Sequence, residues 1–298
     1  MESLLTHYKA LTSEQQEEFM KLIQVSPIYP TMTSTSTLPT YSLTVGNGGE
    51  NHVGMEFIGS IRKKGEGWNL KKLRYARGIL EDIFNLEVEL YNLNELLEDV
   101  TIEDSLQPEP AYFMHVKNFL TPDVHNEYLK ELNSYEWDNK YYCTRRKRVL
   151  NKHARTNVCY GKKHRDPDYE NKKGTIIGYD ESPLVFRLKQ VVEMLMQDND
   201  LIVEGNKYVN VKKNGIGPHG DTERVVVSCL RVGEMMPIKY GWFHNNKVVG
   251  NTKTINIPGG SLYFMSEKAV GADWKKRSQY TLRHAAGADK YLKMKGEK

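Results

Sequence analysis

The sequence predicts an α+β protein: a small α/β module of unknown role over residues 1–108, then a β-rich domain of jelly-roll or barrel type over residues 109–298. Three observations carry this reading. From Tyr208 onward, short β-branched and aromatic runs recur at regular spacing between Gly, Pro and Asn turns, the pattern of a closed or two-sheet β architecture. The stretch Gln107-Pro-Glu-Pro110 interrupts the chain after an acidic segment. The charge also changes sign there: residues 1–108 hold 9 Lys/Arg against 16 Asp/Glu, and residues 109–298 hold 33 against 22. A chain of 298 residues is long for one core, so two domains are the default.

The elements follow in order. Residues 11–23 carry Thr12 as N-cap with Gln15 three positions on, a capping box, and then a helical stripe of Phe19, Met20, Leu22 and Ile23. The Pro/Ser/Thr-rich residues 26–40 read as a linker. A strand is expected at Tyr41–Val45, a glycine-rich turn at Gly46–Gly54, helices near Val53–Arg62 and Asn69–Phe84, and a strand at Leu86–Tyr91. These glycines match neither the dinucleotide fingerprint nor a P-loop, so a tight turn explains them better than a nucleotide site.

In the second half, Thr121 with Pro122 opens a helix whose buried stripe is Val124, Tyr128, Leu129 and Leu132. Leu184–Met196 is an amphipathic helix that needs only a packing explanation. Strands are then expected at Arg224–Leu230, Ile238–His244, Val248–Ile257, Ser261–Met265 and Arg277–His284, with Asn245-Asn246 turning a hairpin.

Composition narrows the class. No apolar run approaches a membrane span, and the N-terminus lacks a basic-then-apolar leader. Three cysteines, Cys143, Cys159 and Cys229, form no CxxC and no even disulfide set. An intracellular protein, cytoplasmic or nuclear, is expected, neither secreted nor membrane-bound. Residues 138–165 contain ten Lys/Arg and one acid, with Tyr141, Tyr142 and Tyr160 interleaved and Arg145, Arg146 and Arg148 at the densest point. One-signed charge with aromatics suits phosphate contact and base stacking, against the alternative of a solvated hairpin.

The chemistry-bearing stretch is Tyr208–Asp221, a strand, a Gly/Pro turn, and then His219 and Asp221 two residues apart. In extended backbone such residues face one side. A His and a carboxylate so placed are two thirds of the facial triad that binds non-haem Fe(II).

Together with Gly260–Ser266 and the final Arg277-Ser-Gln-Tyr-Thr-Leu-Arg283, this pair resembles the Fe(II)/2-oxoglutarate-dependent dioxygenases, most closely the AlkB family, over about residues 111–287. Gln279 stands where that family prefers Asn, and Lys212 where its lead-in has Tyr. The resemblance implies a double-stranded β-helix (jelly-roll) oxygenase domain with flanking helices. It implies Fe(II) held by His219 and Asp221, 2-oxoglutarate as cosubstrate, molecular oxygen, and hydroxylation of a C–H bond, with oxidative dealkylation of a nucleobase as the family's example. Arg283 and Arg277, with Asn210 and Thr281, would hold the 2-oxoglutarate. Arg145, Arg146, Arg148 and Tyr160 would contact nucleic acid, taken single-stranded or with the base flipped.

In the family the third ligand, a His, precedes the final Arg strand, and here Glu267–Lys276 contains none. His284 then takes that role, with Asp273 the alternative. Strict alternation would turn His284 away from a pocket faced by Arg283 unless the strand bulges. Two other functions stay open at this point: a metal-free nucleic-acid-binding module on the same fold, and a protein hydroxylase.

Overall fold

The structure, a computed structural model, describes residues 39–297 together with Thr12. The helix expected over 11–23 and almost all of the linker over 26–40 lie outside the described residues. The first part of the chain forms β1 (Thr40–Gly46), β2 (Gly48–Glu50), β3 (Phe57–Gly59), α1 (Leu70–Asp82), β4 (Val88–Asn92), β5 (Tyr112–Val116) and α2 (Pro122–Asn133). The middle forms β6 (Lys140–Cys143), β7 (Arg148–Asn151), β8 (Thr156–Gly161), β9 (Ile176–Gly178), α3 (Pro183–Met196) and β10 (Ile202–Tyr208). The remainder forms β11 (Gly215–His219), β12 (Val227–Gly233), β13 (Met236–His244), β14 (Lys247–Ile257), β15 (Leu262–Met265), α4 (Glu267–Val270), β16 (Thr281–Gly287) and α5 (Asp289–Leu292).

An eight-stranded sheet runs in the order β4-β5-β15-β12-β1-β10-β8-β9, and a four-stranded sheet in the order β11-β16-β13-β14. Neighbours are antiparallel except β8 and β9. The protein is therefore α+β, dominated by antiparallel strands. No helix among the described residues is long and apolar enough to cross a membrane.

Period-two alternation gives the large sheet two different faces. Tyr41, Leu43 and Val45 of β1, Val203 of β10 and Leu230 and Val232 of β12 join one core cluster with α1, α2 and α3. The helices start where the sequence places them. Asn69 Oδ1 accepts from Lys72 N at 3.1 Å to open α1, and Thr121 Oγ1 accepts from Val124 N at 3.3 Å to open α2. On the opposite face, Phe113, Val227, Cys229, Tyr263 and Met265 share a second cluster with Ile238, Tyr240, Trp242, Ile255 and Ile257 of the small sheet. At the β10 end of that layer the inward residues turn polar, and the two sheets enclose a cleft rather than a core.

Three expectations are corrected. The boundary at residue 108 does not separate two folding units. β1 is hydrogen-bonded along its length to β10 and β12, and β4 pairs β5 across the expected boundary. The helix expected near Val53–Arg62 is instead the hairpin β2–β3, in which the Phe57 ring lies against Gly48 where a Cβ would fall 2.1 Å from it. The last strand begins at Thr281, so Arg277 and Gln279 lie in the exposed turns before it and share no strand face with Arg283.

Candidate metal centre

β11 ends at His219 and β16 brings His284 directly opposite it, the register slipping between Ile216 and His219. A slip of this kind re-aims the side chains that follow it. The chain then turns through Gly220, whose Cα abuts the backbone of Gly271: a Cβ there would lie 2.0 Å from the Gly271 carbonyl oxygen. Only glycine fits, and the close approach lets Asp221 N donate to Val270 O at 3.1 Å. Asp221 is thereby held with Oδ1 3.4 Å from His219 Nε2 and 3.8 Å from His284 Nε2. One ligand atom from each of the three residues falls within 4.8 Å of the others. Atoms bound to one ion at about 2.1 Å sit roughly 3 Å apart, so side-chain adjustments suffice to close the set.

The protonation states suit ligation. His219 Nδ1–H donates to Gly217 O at 2.8 Å, which leaves the Nε2 lone pair for the centre. Burial, aided by the neighbouring His219, lowers the pKa of His284 to about 3, so its ring is neutral near pH 7, and its buried Nδ1 has no hydrogen-bond partner. Burial alone would raise the Asp221 pKa, but the Arg224 guanidinium and the two imidazoles override it and hold the group below the usual carboxylate range. Arg224 is fastened in turn to Glu204 at 2.7 Å and Glu223 at 2.9 Å, with Nε 3.6 Å from Asp221 Oδ2. Two imidazoles and one carboxylate fit a divalent metal with open positions, the donor set of non-haem Fe(II).

The three residues line a cleft of about 660 Å³, within the usual range of small-molecule sites. Its far wall is the polar face of the large sheet. Arg231 of β12, Ser42 of β1 and Asn206 of β10 stand directly opposite one another across three adjacent strands. At the mouth, His52 stacks on Tyr141 of β6 with ring centroids 3.7 Å apart. The turn joining β6 to β7 reaches Gly54, where Thr144 Oγ1 lies 3.0 Å from the Cβ position. Arg145, Arg146 and Arg148, in and beside this turn, are exposed.

The structure brings His219, Asp221 and His284 together and disperses the other residues expected to share their cleft. Alternation along β16 decides the matter: His284 and Ala286 line the cleft, so Thr281 and Arg283 face the other way. Arg283 packs against Phe243 and Trp274 at 4.3 and 5.3 Å and donates to Asn246 Oδ1 and Trp274 O. Asn210 caps the turn after β10, its Oδ1 accepting from Lys212 N at 2.9 Å. Tyr160 is wholly buried on the helix-covered face, edge-on to Tyr135, and meets no solvent. Asp273 is engaged by Lys268 at 2.6 Å and does not join the cluster.

Sequence reasoning missed Arg224, Glu204, Ser42 and Arg231. For Arg231 a signal existed: in the apolar run Val225–Val232 it is a charge at the same phase as Val227 and Cys229, both of which point into the layer between the sheets.

No family model matches the chain. An uncharacterized protein of Acanthamoeba polyphaga mimivirus is 37% identical over 260 residues, covering 87% of this chain and 100% of the relative. A match of that length within 298 residues necessarily takes in β1, so the likeness spans the sheet as a whole and not only its C-terminal strands. The chain belongs to the same family as this mimivirus protein.

Proposed function

We propose that the protein is an Fe(II)/2-oxoglutarate-dependent dioxygenase on a double-stranded β-helix, acting on a nucleobase in single-stranded nucleic acid or one flipped from a duplex. The observation that carries this reading is the convergence of His219, Asp221 and His284, from two strands far apart in sequence, on the wall of one cleft. A single structural histidine beside a helper carboxylate would leave no reason for a second, buried imidazole with its Nε2 turned to that same carboxylate.

The strand order supports the finer fold. From β10 to β16 the chain visits the two sheets in the order large, small, large, small, small, large, small, the alternation of a jelly roll. The eighth seat, between β12 and β10, is filled by β1. β16 is therefore the seventh strand of the roll and the ligand-bearing one, which accounts for His284 standing where a cosubstrate arginine was expected.

Iron in this centre would supply the oxygen chemistry: 2-oxoglutarate, O2 and R–H give succinate, CO2 and R–OH. The protein's own part is to hold three facial ligands, leave the remaining positions open to the cleft, and keep Asp221 ionised through Arg224. Arg145, Arg146 and Arg148 would guide a phosphate backbone past the mouth, and the His52–Tyr141 pair offers a flat aromatic surface there.

Fe(II)-loaded protein given 2-oxoglutarate and air should form succinate, faster with a single-stranded oligonucleotide containing N-alkylated bases. Joint replacement of Arg145, Arg146 and Arg148 by Ala should weaken oligonucleotide binding and flatten the log–log salt dependence by about 2. Succinate formation indifferent to the oligonucleotide, with an unchanged salt slope, would exclude nucleic acid as the substrate.

A further inference from the structure

A buried guanidinium calls for an anion, and Arg231 receives none from the protein. It is 1% exposed, among the largest fully buried side chains. Its Nη1 donates to Ser42 Oγ and its buried Nε has no partner. No carboxylate among the described residues lies within ion-pair distance of it, whereas Arg224 in the same cleft has three. Arg155, half-buried in the same cleft, also lacks a carboxylate but donates to Asn206 Oδ1 at 2.6 Å, and Arg283 is held between two aromatic rings and two oxygens and faces away from the cleft. A desolvated cation left so is costly unless a ligand supplies the counter-charge.

The surroundings of Arg231 suit a carboxylate. Ser42 Oγ accepts from the guanidinium, so its own O–H is free to donate to a bound anion. Tyr208 and Tyr263 also line the cleft, and burial raises the pKa of both phenols. Arg231 and Ser42 thus stand across the cleft from the His–Asp–His cluster, with Asn206 beside them held by Arg155 and Glu204.

We propose that Arg231, presented from β12 with Ser42 of β1, binds the distal carboxylate of a small dicarboxylic 2-oxo acid. Its identity as 2-oxoglutarate rests on the dioxygenase reading above; the anion site itself rests on Arg231. β1 fills the seat that closes the roll but carries no cation in its sequence Thr40–Gly46, so the charge comes from the strand beside it.

The test is binding, measured without oxygen on Mn(II)-loaded protein by calorimetry. Wild type should bind 2-oxoglutarate at least 100-fold more tightly than 2-oxovalerate, which lacks the distal carboxylate. Arg231→Met should erase that preference while leaving Mn(II) affinity within about 3-fold, a pattern that mere destabilisation does not produce. Arg231→Lys, which keeps the charge within the fold but loses the planar fork, should retain the preference and lose about 10-fold in affinity. Failure of wild type to bind Mn(II) would count against the metal centre and not against Arg231. Normal Mn(II) binding with an undiminished preference in Arg231→Met, or in Arg231→Lys an affinity equal to wild type, would overturn the assignment.

Discussion

His284→Ala should abolish tight Fe(II) binding, at least 100-fold in affinity, while Asp273→Ala leaves it unchanged. Residues that merely support a metal ligand are worth about 10- to 100-fold, so loss of a ligand exceeds that. His284 faces His219 across the β11–β16 pairing with ring centroids 4.5 Å apart, and Asp221 lies between their Nε2 atoms. Asp273 is tied to Lys268, which also donates to Tyr280 O. Equilibrium dialysis under nitrogen, with both variants checked for an unaltered far-ultraviolet spectrum, separates the outcomes. Retained affinity in His284→Ala with loss in Asp273→Ala would move the third ligand to Asp273 and require the loop after α4 to refold around it.

Arg224→Met should destabilise the protein by about 3–5 kcal/mol and weaken metal binding as well. The Arg224 guanidinium is buried and serves Glu204, Glu223 and Asp221 together. Its loss leaves the buried Glu204 and the half-buried Asp221 without a counter-charge, and the cost of that is the desolvation of the survivors rather than the value of the pair. Adding Glu204→Gln to Arg224→Met should restore most of the stability, because one of the stranded charges is then removed. Urea unfolding of the wild type, both single variants and the double variant gives the coupling directly. Additive losses in the double variant would mean that Arg224 and Glu204 do not act through each other.

The legible parts of this protein were those with a local signal. Thr121-Pro122 announced α2, the stripe in Leu184–Met196 announced α3, and His219-Gly-Asp221 announced one edge of the site. What stayed hidden depends on contacts between distant segments. Nothing within Thr40–Gly46 states that it will lie between β10 and β12, whose residues follow it by well over a hundred positions. The family resemblance puts arginines on the cleft face of the final strand, where the structure instead turns His284. The alternation rule already held the correction, since Arg283 and His284 are adjacent and only one can point inward. Tyr160 failed for a similar reason: read in a basic stretch it resembled a stacking platform, but with Val158 it belongs to the buried face of β8.

Anaerobic titration of the wild-type protein with Fe(II), followed by calorimetry, tests the shared centre of His219, Asp221 and His284 most directly. One equivalent should bind with micromolar or better affinity, and His219→Ala should show none. Binding no tighter in wild type than in His219→Ala would contradict a metal centre at these three residues.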